Sequence, residues 1–201
     1  DLIGIPWMLA FALRADGWYL RSDVIWNKPN PMPESVRDRP TKSHEYIFLL
    51  TKNKKYYYDH VAIKEKIVSG GRSGNSFRSR QGGASHQAVS GGIGGDEWVS
   101  DGSGRNKRSV WTVTTKPYKG AHFAVFPPEL IEPCILATCP PAGVVLDPFG
   151  GSGTTAGVAI LHNRNAVICE LNEEFAALIP DRVASIASGF RLGQIRLSDY
   201  W

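Results

Sequence analysis

Cysteine is scarce in this sequence, and long apolar runs are missing altogether. The three cysteines, Cys134, Cys139 and Cys169, have neither the paired short spacings of a zinc site nor those of a disulfide framework. No stretch approaches the roughly 20 apolar residues that a membrane-spanning helix needs, and the opening residues lack the basic-then-apolar order of a secretion signal. These absences predict a cytoplasmic protein without a structural metal or disulfides.

The excess of one charge over the other is also small. The 23 Lys and Arg residues outnumber the 19 Asp and Glu residues, which gives a net charge of +4 and a pI near 9.0. Such an excess favours a polyanionic partner without requiring one. With 201 residues, of which 42% are hydrophobic, the chain can form one compact core. Its first residue is not Met and a helical pattern is under way by Leu2, so we expect the chain to begin inside a larger protein.

Hydrophobic patterning predicts one helix and two strands near the start of the chain. Apolar residues at helical spacing favour a helix over 2–14, which Asp16 and Gly17 end. Aromatic and β-branched residues favour a strand over 19–26, and the prolines within 27–33 then require a stiff loop. The nearly continuous apolar run 45–50 is typical of a strand covered on both faces, and we expect it to be central in a sheet.

Residues 69–109 differ sharply in composition from the rest. Glycine, serine and arginine dominate this segment, and aliphatic residues are almost absent from it. Such a segment cannot build a core of its own, and by composition it is typical of a solvated linker. Its basic residues include Arg72, Arg78, Arg80, Arg105, Lys107 and Arg108.

The C-terminal third contains the pattern of a βαβ unit. A helix opens at Pro127-Pro128, because proline is tolerated in a first helical turn. A short buried strand over 144–146 then runs into the glycine-rich loop 147–155, a helix follows from residue 156, and a second strand over 166–169 ends in Glu170. In such sheets the ligand lies outside the carboxyl ends of the strands.

Two acids of this unit indicate the class of ligand. Glu170 ends the second strand roughly 20 residues after the glycines, where a carboxylate can accept hydrogen bonds from both hydroxyls of a ribose. Asp147 stands directly before the glycines, where it would repel a pyrophosphate but could accept from an ammonium. S-adenosylmethionine has that ammonium and has no phosphate, so it is the predicted cofactor. The rival is NAD, since residues 151–156 also fit the loose G-x-G-x-x-A dinucleotide pattern.

Three motifs resemble those of the amino-methyltransferases of DNA, which make N6-methyladenine or N4-methylcytosine. They are DPFGGSGTT at 147–155, HFAVFPPEL at 122–130, and VIWNKPNP at 24–31 with HEYIF at 44–48. Their order is similar to the circularly permuted group, in which the cofactor loop lies near the C-terminus. The resemblance implies an α/β three-layer sandwich around a mostly parallel seven-stranded, Rossmann-like sheet, incomplete in this chain. It also implies a bacterial or phage enzyme that works at the nucleoid.

The same resemblance assigns cofactor-binding residues. Around the methionine part it implies Asp147, Phe149, Gly150, Gly151, Gly153 and Thr154. Glu170 would hold the ribose, Phe126 and Pro127 would lie against the same pocket, and His122 gains weaker support from its motif. The catalytic Ser/Asp/Asn-Pro-Pro-aromatic motif of the group is absent from this chain. We therefore expect that motif upstream of Asp1, and we expect this chain alone to be inactive.

The DNA side of the prediction rests on position as well as composition. The permuted group inserts its target-recognition region where residues 69–109 stand, so we expect double-stranded DNA to meet Arg72, Arg78, Arg80, Arg105 and Arg108. Arginine suits that task because its planar fork matches guanine edges and phosphates. By resemblance, Lys28 and Asn30 lie beside the pocket of a flipped base.

The expected parts are residues 1–68, a sheet half beside the absent motif, residues 69–109, the recognition insertion, and residues 110–201, the cofactor-binding half. The predicted function is site-specific methylation of an exocyclic amine, with adenine N6 preferred to cytosine N4. The missing N-terminal segment or a homodimer mate would complete the site. Two alternatives remain at this point, an NAD-dependent oxidoreductase and a non-catalytic DNA-binding subunit.

Overall fold

The computed structural model describes residues 2–66, 104–115 and 125–194. Five helices lie in these ranges: α1 (Ile5–Ala15), α2 (Pro128–Thr138), α3 (Thr154–Leu161), α4 (Glu173–Ala176) and α5 (Ile179–Gln194). The same ranges hold five strands: β1 (Tyr19–Asn27), β2 (His44–Thr51), β3 (Val110–Thr112), β4 (Val144–Asp147) and β5 (Asn165–Ile168). Each element predicted above is present, with ends that differ by a few residues.

The first sheet contains β2, β1 and β3 in that order. β1 pairs with β2 in antiparallel and with β3 in parallel orientation. On one face, Trp7 of α1 packs edge-on against Tyr46 and Phe48, with ring centroids 5.5 and 4.9 Å apart. The prediction that the run 45–50 is central is wrong for the described sheet, because β2 lies at its edge. A continuous apolar run indicates that both faces of a strand are covered, but it does not indicate whether the strand has a hydrogen-bonded neighbour on each side.

Trp26 joins this sheet to the chain that follows β3. Its indole is 6% exposed and its Nε1 donates to the carbonyl oxygen of Val113 at 2.8 Å. Tryptophan is well placed in such a position, since a buried indole N–H needs an acceptor. Trp26 is therefore a core residue beneath the proline-rich loop.

The second sheet is the parallel pair β4 and β5, joined through α3 as the sequence predicts. A core of Ile135, Cys139, Val158, Ala159 and Ile186 packs helices α2, α3 and α5 together beside it. The prediction of a buried strand is wrong for one face of β4, because its alternate side chains Val144 and Leu146 are each 63% exposed.

The two sheets, each with helices packed against it, give the chain an α/β fold. Within residues 2–66, 104–115 and 125–194 the five strands form two separate sheets, so the described chain does not hold a continuous seven-stranded sheet. No helix in these ranges is both long and apolar enough to cross a membrane. The proposed boundaries at residues 68/69 and 109/110 stay predictions.

Candidate functional site

Asp147 ends β4 and organises the loop that follows it. Its Oδ1 accepts a hydrogen bond from the backbone N–H of Phe149 at 3.0 Å, and its Oδ2 accepts one from the hydroxyl of Thr155 at 2.6 Å. The first bond caps the turn locally, and the second reaches across the glycines to the first turn of α3. The carboxylate is thus held in one orientation at the carboxyl end of the strand.

Glu170 does the same at the neighbouring strand. It follows β5 by two residues, its Oε2 accepts from the N–H of Gly151 at 2.7 Å, and its Oε1 accepts from the N–H of Asn172 at 2.9 Å. β4 and β5 are parallel and Asp147 pairs with Ile168, so both acids lie at one edge of the sheet. A carboxylate offers about four lone-pair sites, so Asp147, which accepts two hydrogen bonds, retains capacity for an ammonium donor of a ligand.

The glycines let the loop lie closely against the elements behind it. A Cβ on Gly150 would stand 1.9 Å from Cγ2 of Ile168, and one on Gly153 would stand 2.9 Å from Cγ2 of Ile179. Gly153 also has a φ of +88°, which disfavours any other residue. Sequence reasoning attributed these glycines to the approach of a ligand. In the structure they are required at least as much by packing of the loop on β5 and α5.

The remaining residues predicted to bind the cofactor lie around the same loop. Thr154 is 3% exposed, and its Oγ1 has no hydrogen-bond partner among the described residues. Phe149 is 88% exposed, whereas Pro127 is buried. A cavity of about 690 Å³ runs along β4, and Phe126, Asp147 and Thr155 line it.

These groups fit the predicted cofactor in donor and acceptor chemistry. Two fixed carboxylates suit an ammonium and a ribose, and an exposed ring can cover an apolar group. One buried hydroxyl, that of Thr154, lacks a partner within the part of the chain that the structure describes. His122 lies outside the described residues, so its role stays a prediction. Among the described residues, no three His, Cys, Asp or Glu side chains are grouped closely enough to hold a metal ion.

Lys28 and Asn30 follow β1 and line a second cavity, of about 980 Å³, that Trp26 and Phe126 also line. Lys28 forms an ion pair with Glu45, and its Nζ lies 4.3 Å from the centroid of the Trp26 ring. Phe126 is therefore shared by this cavity and the one along β4. The structure thus brings residues of the predicted base pocket close to residues of the predicted cofactor pocket.

Asn30 also has a local structural task. Its Nδ2 donates to the carbonyl oxygen of Thr115 at 3.1 Å, and its Oδ1 accepts from the N–H of Thr115 at 3.0 Å. The side-chain amide therefore bonds both backbone groups of Thr115, as the backbone of a neighbouring strand would. One amide hydrogen of Asn30 remains for another acceptor.

A third cavity, of about 670 Å³, is rich in cations and aromatic rings. The cations that line it are Lys52, Lys55, Lys107 and Arg108. Two of them sit over rings that also line it: Lys52 Nζ lies 4.0 Å from the Trp18 centroid and Lys107 Nζ lies 5.0 Å from that of Trp111. Nothing in the linear sequence places Lys52 and Lys55 beside residues 107 and 108, and the fold brings them together.

Arg105 and Arg108 are the predicted DNA contacts that the structure describes from the insertion. Both donate through Nε to Oε2 of Glu65, at 3.1 and 3.0 Å. Arg72, Arg78 and Arg80 lie outside the described residues, and their assignment stays a prediction.

Comparison with known proteins gives consistent matches. Residues 4–181 match the DNA methylase family. The chain is 51% identical over 183 residues to the type II methyltransferase M.Cfr9I of Citrobacter freundii, and 51% identical over 183 residues to M.SmaI of Serratia marcescens. These alignments cover 91% of this chain but 50% and 52% of the relatives, so the chain spans about half the length of the curated relatives it matches.

Solved structures with the same fold are more distant in sequence. The M1.HpyAVI–SAM complex superposes with a TM-score of 0.58 at 21% identity, covering 91% of this chain and 70% of that one. The cytosine-N4-specific PvuII DNA methyltransferase gives a TM-score of 0.57 at 18% identity, covering 90% and 62%. At these identities the likeness shows a shared α/β fold.

Proposed function

The chain belongs to the DNA methylase family, and from that premise we propose that it binds S-adenosylmethionine and serves the methylation of an exocyclic amine in DNA. The observation that carries this proposal is the pair of carboxylates, Asp147 and Glu170, held by backbone donors at the ends of two adjacent parallel strands. The two acids stand where a ligand binds in an open α/β sheet. A complex of a structural neighbour with SAM supports the choice of cofactor.

Each residue of the loop has a task in this proposal. Asp147 accepts from the ammonium of the cofactor, and Glu170 accepts from its ribose hydroxyls. The hydroxyl of Thr154, which is buried and has no partner among the described residues, gains one when the ligand is bound. Phe126 and Phe149 supply apolar surface. The cofactor supplies an electrophilic methyl group, and no metal or general base of this chain is needed for its transfer.

The DNA base is proposed to enter the cavity beside Lys28 and Asn30. A target amine inside a duplex is out of reach, so such enzymes extrude the base into a pocket. Phe126 lines both this cavity and the one along β4, which supports a short path between base and cofactor. We propose adenine N6 as the target in preference to cytosine N4. The arginine-rich insertion contributes contacts to the duplex.

The catalytic Pro-Pro-aromatic motif is proposed to lie in polypeptide outside this chain. The chain contains no such motif and spans about half the length of M.Cfr9I. Exposed apolar side chains on β4, Val144 and Leu146, support an additional element at that sheet. The proposed source is a segment N-terminal to Asp1, and a homodimer mate is the alternative source. The site of action is the nucleoid in a bacterial cytoplasm.

Calorimetry with S-adenosylhomocysteine tests the cofactor site directly. We expect the chain to bind this demethylated product of the cofactor, and we expect Asp147→Ala to abolish binding while duplex DNA binding stays largely intact. NAD binding without S-adenosylhomocysteine binding would instead identify an oxidoreductase. Strongly salt-dependent DNA binding without any cofactor binding would identify a non-catalytic DNA-binding subunit.

A methyl-transfer assay tests whether the catalytic motif lies in polypeptide outside this chain. With methyl-labelled cofactor and duplex DNA, we expect no label transfer by this chain alone. Transfer should appear when the half of M.Cfr9I that this chain does not match is added. Appreciable transfer by the chain alone would contradict the proposal that its catalytic motif lies outside this chain.

A further inference from the structure

Glu65 connects the two backbone segments that flank residues 67–103. Its N–H donates to the carbonyl oxygen of Arg105 at 2.8 Å, and the N–H of Arg105 donates to the carbonyl oxygen of Glu65 at 2.9 Å. The two residues thus form an antiparallel bridge although 40 positions separate them. This bridge fixes residue 105 relative to the segment before the insertion.

The side chain of Glu65 adds three bonds to the bridge. Oε2 accepts from Nε of Arg105 at 3.1 Å and from Nε of Arg108 at 3.0 Å, while Oε1 accepts from the backbone N–H of Arg108 at 3.3 Å. One carboxylate therefore holds two guanidinium groups. Desolvation acts to raise the pKa of Glu65, but the N–H bonds from Arg108 and Arg105 outweigh it and keep this pKa below its ordinary value, so the group stays charged at neutral pH.

The neighbouring residues leave the bridge little freedom. Gly104 has a φ of +104°, and a Cβ there would stand 2.5 Å from the carbonyl oxygen of Glu65. On the other side, the indole Nε1 of Trp111 donates to the carbonyl oxygen of Arg108 at 2.6 Å. Position 104 therefore requires glycine, and the turn from 105 to 111 is tied at both ends.

Both guanidinium groups keep their outer donors available. Glu65 uses only Nε of each arginine, and among the described residues no acceptor is bound to the Nη atoms of Arg105 or Arg108. The side chain of Glu65 is 19% exposed, whereas those of Arg105 and Arg108 are 49% and 67% exposed. The carboxylate is thus the most buried of the three side chains, and the guanidinium ends of both arginines keep Nη donors without an acceptor among the described residues. Two such ends match the oxygens of phosphate groups.

Arg108 also lies beside other cations. Arg108 lines the same cavity as Lys52, Lys55 and Lys107. Lys52 and Lys107 are packed against aromatic rings, which limits their movement. A surface with several fixed cations attracts a polyanion, and the single charge of Glu65 does not neutralise it.

We propose that Glu65 is a positioning residue that holds Arg105 and Arg108 as a fixed pair of contacts to the phosphate backbone of duplex DNA. The proposal rests on the DNA partner of the proposed function and adds to it a residue that need not touch DNA. Glu65 is itself an anion, so this role predicts an effect opposite in sign to that of simple electrostatics. That opposition makes the proposal testable.

The test compares Glu65→Gln with Glu174→Gln in the full chain. Both changes raise the net charge by one, and Glu174 is an exposed residue of α4. Binding to a labelled 20-base-pair duplex of random sequence is followed by fluorescence anisotropy from 50 to 200 mM NaCl. We expect Glu174→Gln to bind as the wild type or slightly more tightly. Glu65→Gln should bind about fivefold more weakly, because loss of a charge-assisted pair frees both arginines.

A double-mutant cycle assigns the effect to the arginines. Arg105→Ala with Arg108→Ala should make the negative slope of log K against log salt shallower by about two, one for each phosphate contact. Adding Glu65→Gln to that variant should weaken binding no further. A further fivefold loss would overturn the positioning role, as would a Glu65→Gln chain that binds as tightly as the Glu174→Gln control.

If the Glu65→Gln chain melts below the assay temperature, a second variant, Arg105→Lys, tests the same proposal. Arg105→Lys keeps both the carboxylate and the net charge. Lysine lacks the planar fork with which arginine can bind Glu65 through Nε and a phosphate through its Nη atoms. We expect at least a threefold loss of affinity, and affinity within twofold of wild type would overturn the proposal. A wild-type chain that binds S-adenosylhomocysteine but no duplex would overturn the DNA part of the proposed function together with this pair.

Discussion

The hydroxyl of Thr155 donates to Oδ2 of Asp147 at 2.6 Å, and this bond ties the first turn of α3 to the end of β4. The other carboxylate oxygen already holds the N–H of Phe149. Asp147 thus closes the glycine loop through donors of the chain itself. A site organised in this way loses less conformational entropy when it binds, so its two bonds serve affinity as well as folding.

The charge of Asp147 can be separated from its size. Asp147→Asn keeps an oxygen that accepts from Phe149, but it removes the negative charge that we place against the cofactor ammonium. We expect the affinity for S-adenosylhomocysteine to fall roughly tenfold to a hundredfold, since a hydrogen bond to a charged group contributes about 1.5–3 kcal/mol. Isothermal calorimetry measures this loss, and circular dichroism should show an unchanged fold.

Thr155→Val is the matched control for that experiment. It removes the donor to Oδ2 and leaves the carboxylate charge in place. Thr155 is buried, so we expect a lower melting temperature, with less than a tenfold loss of affinity for S-adenosylhomocysteine. Equal losses of affinity in the two variants would contradict a direct role of the charge.

Gly150 offers a test of the packing of the loop. A methyl group at this position would stand 1.9 Å from Cγ2 of Ile168, so Gly150→Ala should lower the free energy of unfolding by about 1–3 kcal/mol. Urea unfolding measures the change. Gly17→Ala is the control for overlap. Gly17 has a φ of +94°, but no atom lies within 4 Å of an added Cβ, so any cost there comes from the backbone and not from a neighbouring side chain.

Ile168→Ala makes room for the added methyl group and so distinguishes the two glycines. Combined with Gly150→Ala, it should cost clearly less than the sum of the two single changes. Combined with Gly17→Ala, the costs should add. Additive costs at Gly150 would show that overlap with Ile168 is not the reason for glycine there.

The sequence predicts the carboxylate pair well because its geometry is local. Asp147 and Glu170 each follow a strand of one βαβ unit, and parallel strands bring their carboxyl ends to one edge. The spacing between the glycines and Glu170 carries the same information. For this reason the acids, the loop and the second strand could be assigned before any coordinates were known.

Contacts between distant segments could not be predicted in the same way. Glu65 meets Arg105 and Arg108 across 40 and 43 positions, and the pairing depends on how the two segments are aligned in the fold. The resemblance to the permuted group marked the two arginines as expected DNA contacts without indicating the carboxylate behind them. Lys52 and Lys107 line one cavity because the fold aligns their two segments, and no periodicity in the sequence predicts that they are neighbours.

Cysteine labelling gives a readout of cofactor binding that needs no activity. Cys169 is exposed, lies directly before Glu170, and donates its N–H to the carbonyl oxygen of Asp147 at 2.9 Å. Cys139 is buried, and burial raises the pKa of Cys134 to about 11. Because the thiolate is the reactive form, we expect Cys169 to react first with a thiol reagent at pH 8.

Saturating S-adenosylhomocysteine should slow the labelling of Cys169 at least fivefold, because the ligand is proposed to cover the end of β5. Mass spectrometry of tryptic peptides identifies the labelled cysteine. Cys169→Ser should keep calorimetric affinity within threefold and lose the fast phase. Unchanged labelling at a ligand concentration that calorimetry shows to be saturating would place the ligand elsewhere.

The lowered pKa of Glu65 predicts how the stability of the chain depends on pH. A carboxyl whose pKa is lower in the folded than in the unfolded state binds fewer protons when folded. Its contribution is therefore fully present above its ordinary pKa of 4.5 and is lost as the pH falls through the lower folded value. Urea unfolding of wild type and Glu65→Gln at pH 7.0, 5.5, 4.5 and 3.5 measures this contribution as the difference between the two midpoints.

Glutamine cannot titrate, so other carboxyl groups that change between these pH values affect both proteins and cancel in the difference. We expect the wild type to be the more stable protein at pH 7.0 and 5.5 by the same margin, and the margin to shrink between pH 4.5 and 3.5. Addition of 0.5 M NaCl at pH 7.0 should reduce the margin as well, since both arginines are partly exposed to solvent and their attraction to Glu65 is screened. A margin that grows on acidification would mean that Glu65 is held in its protonated form, which is incompatible with a carboxylate that binds two guanidinium groups.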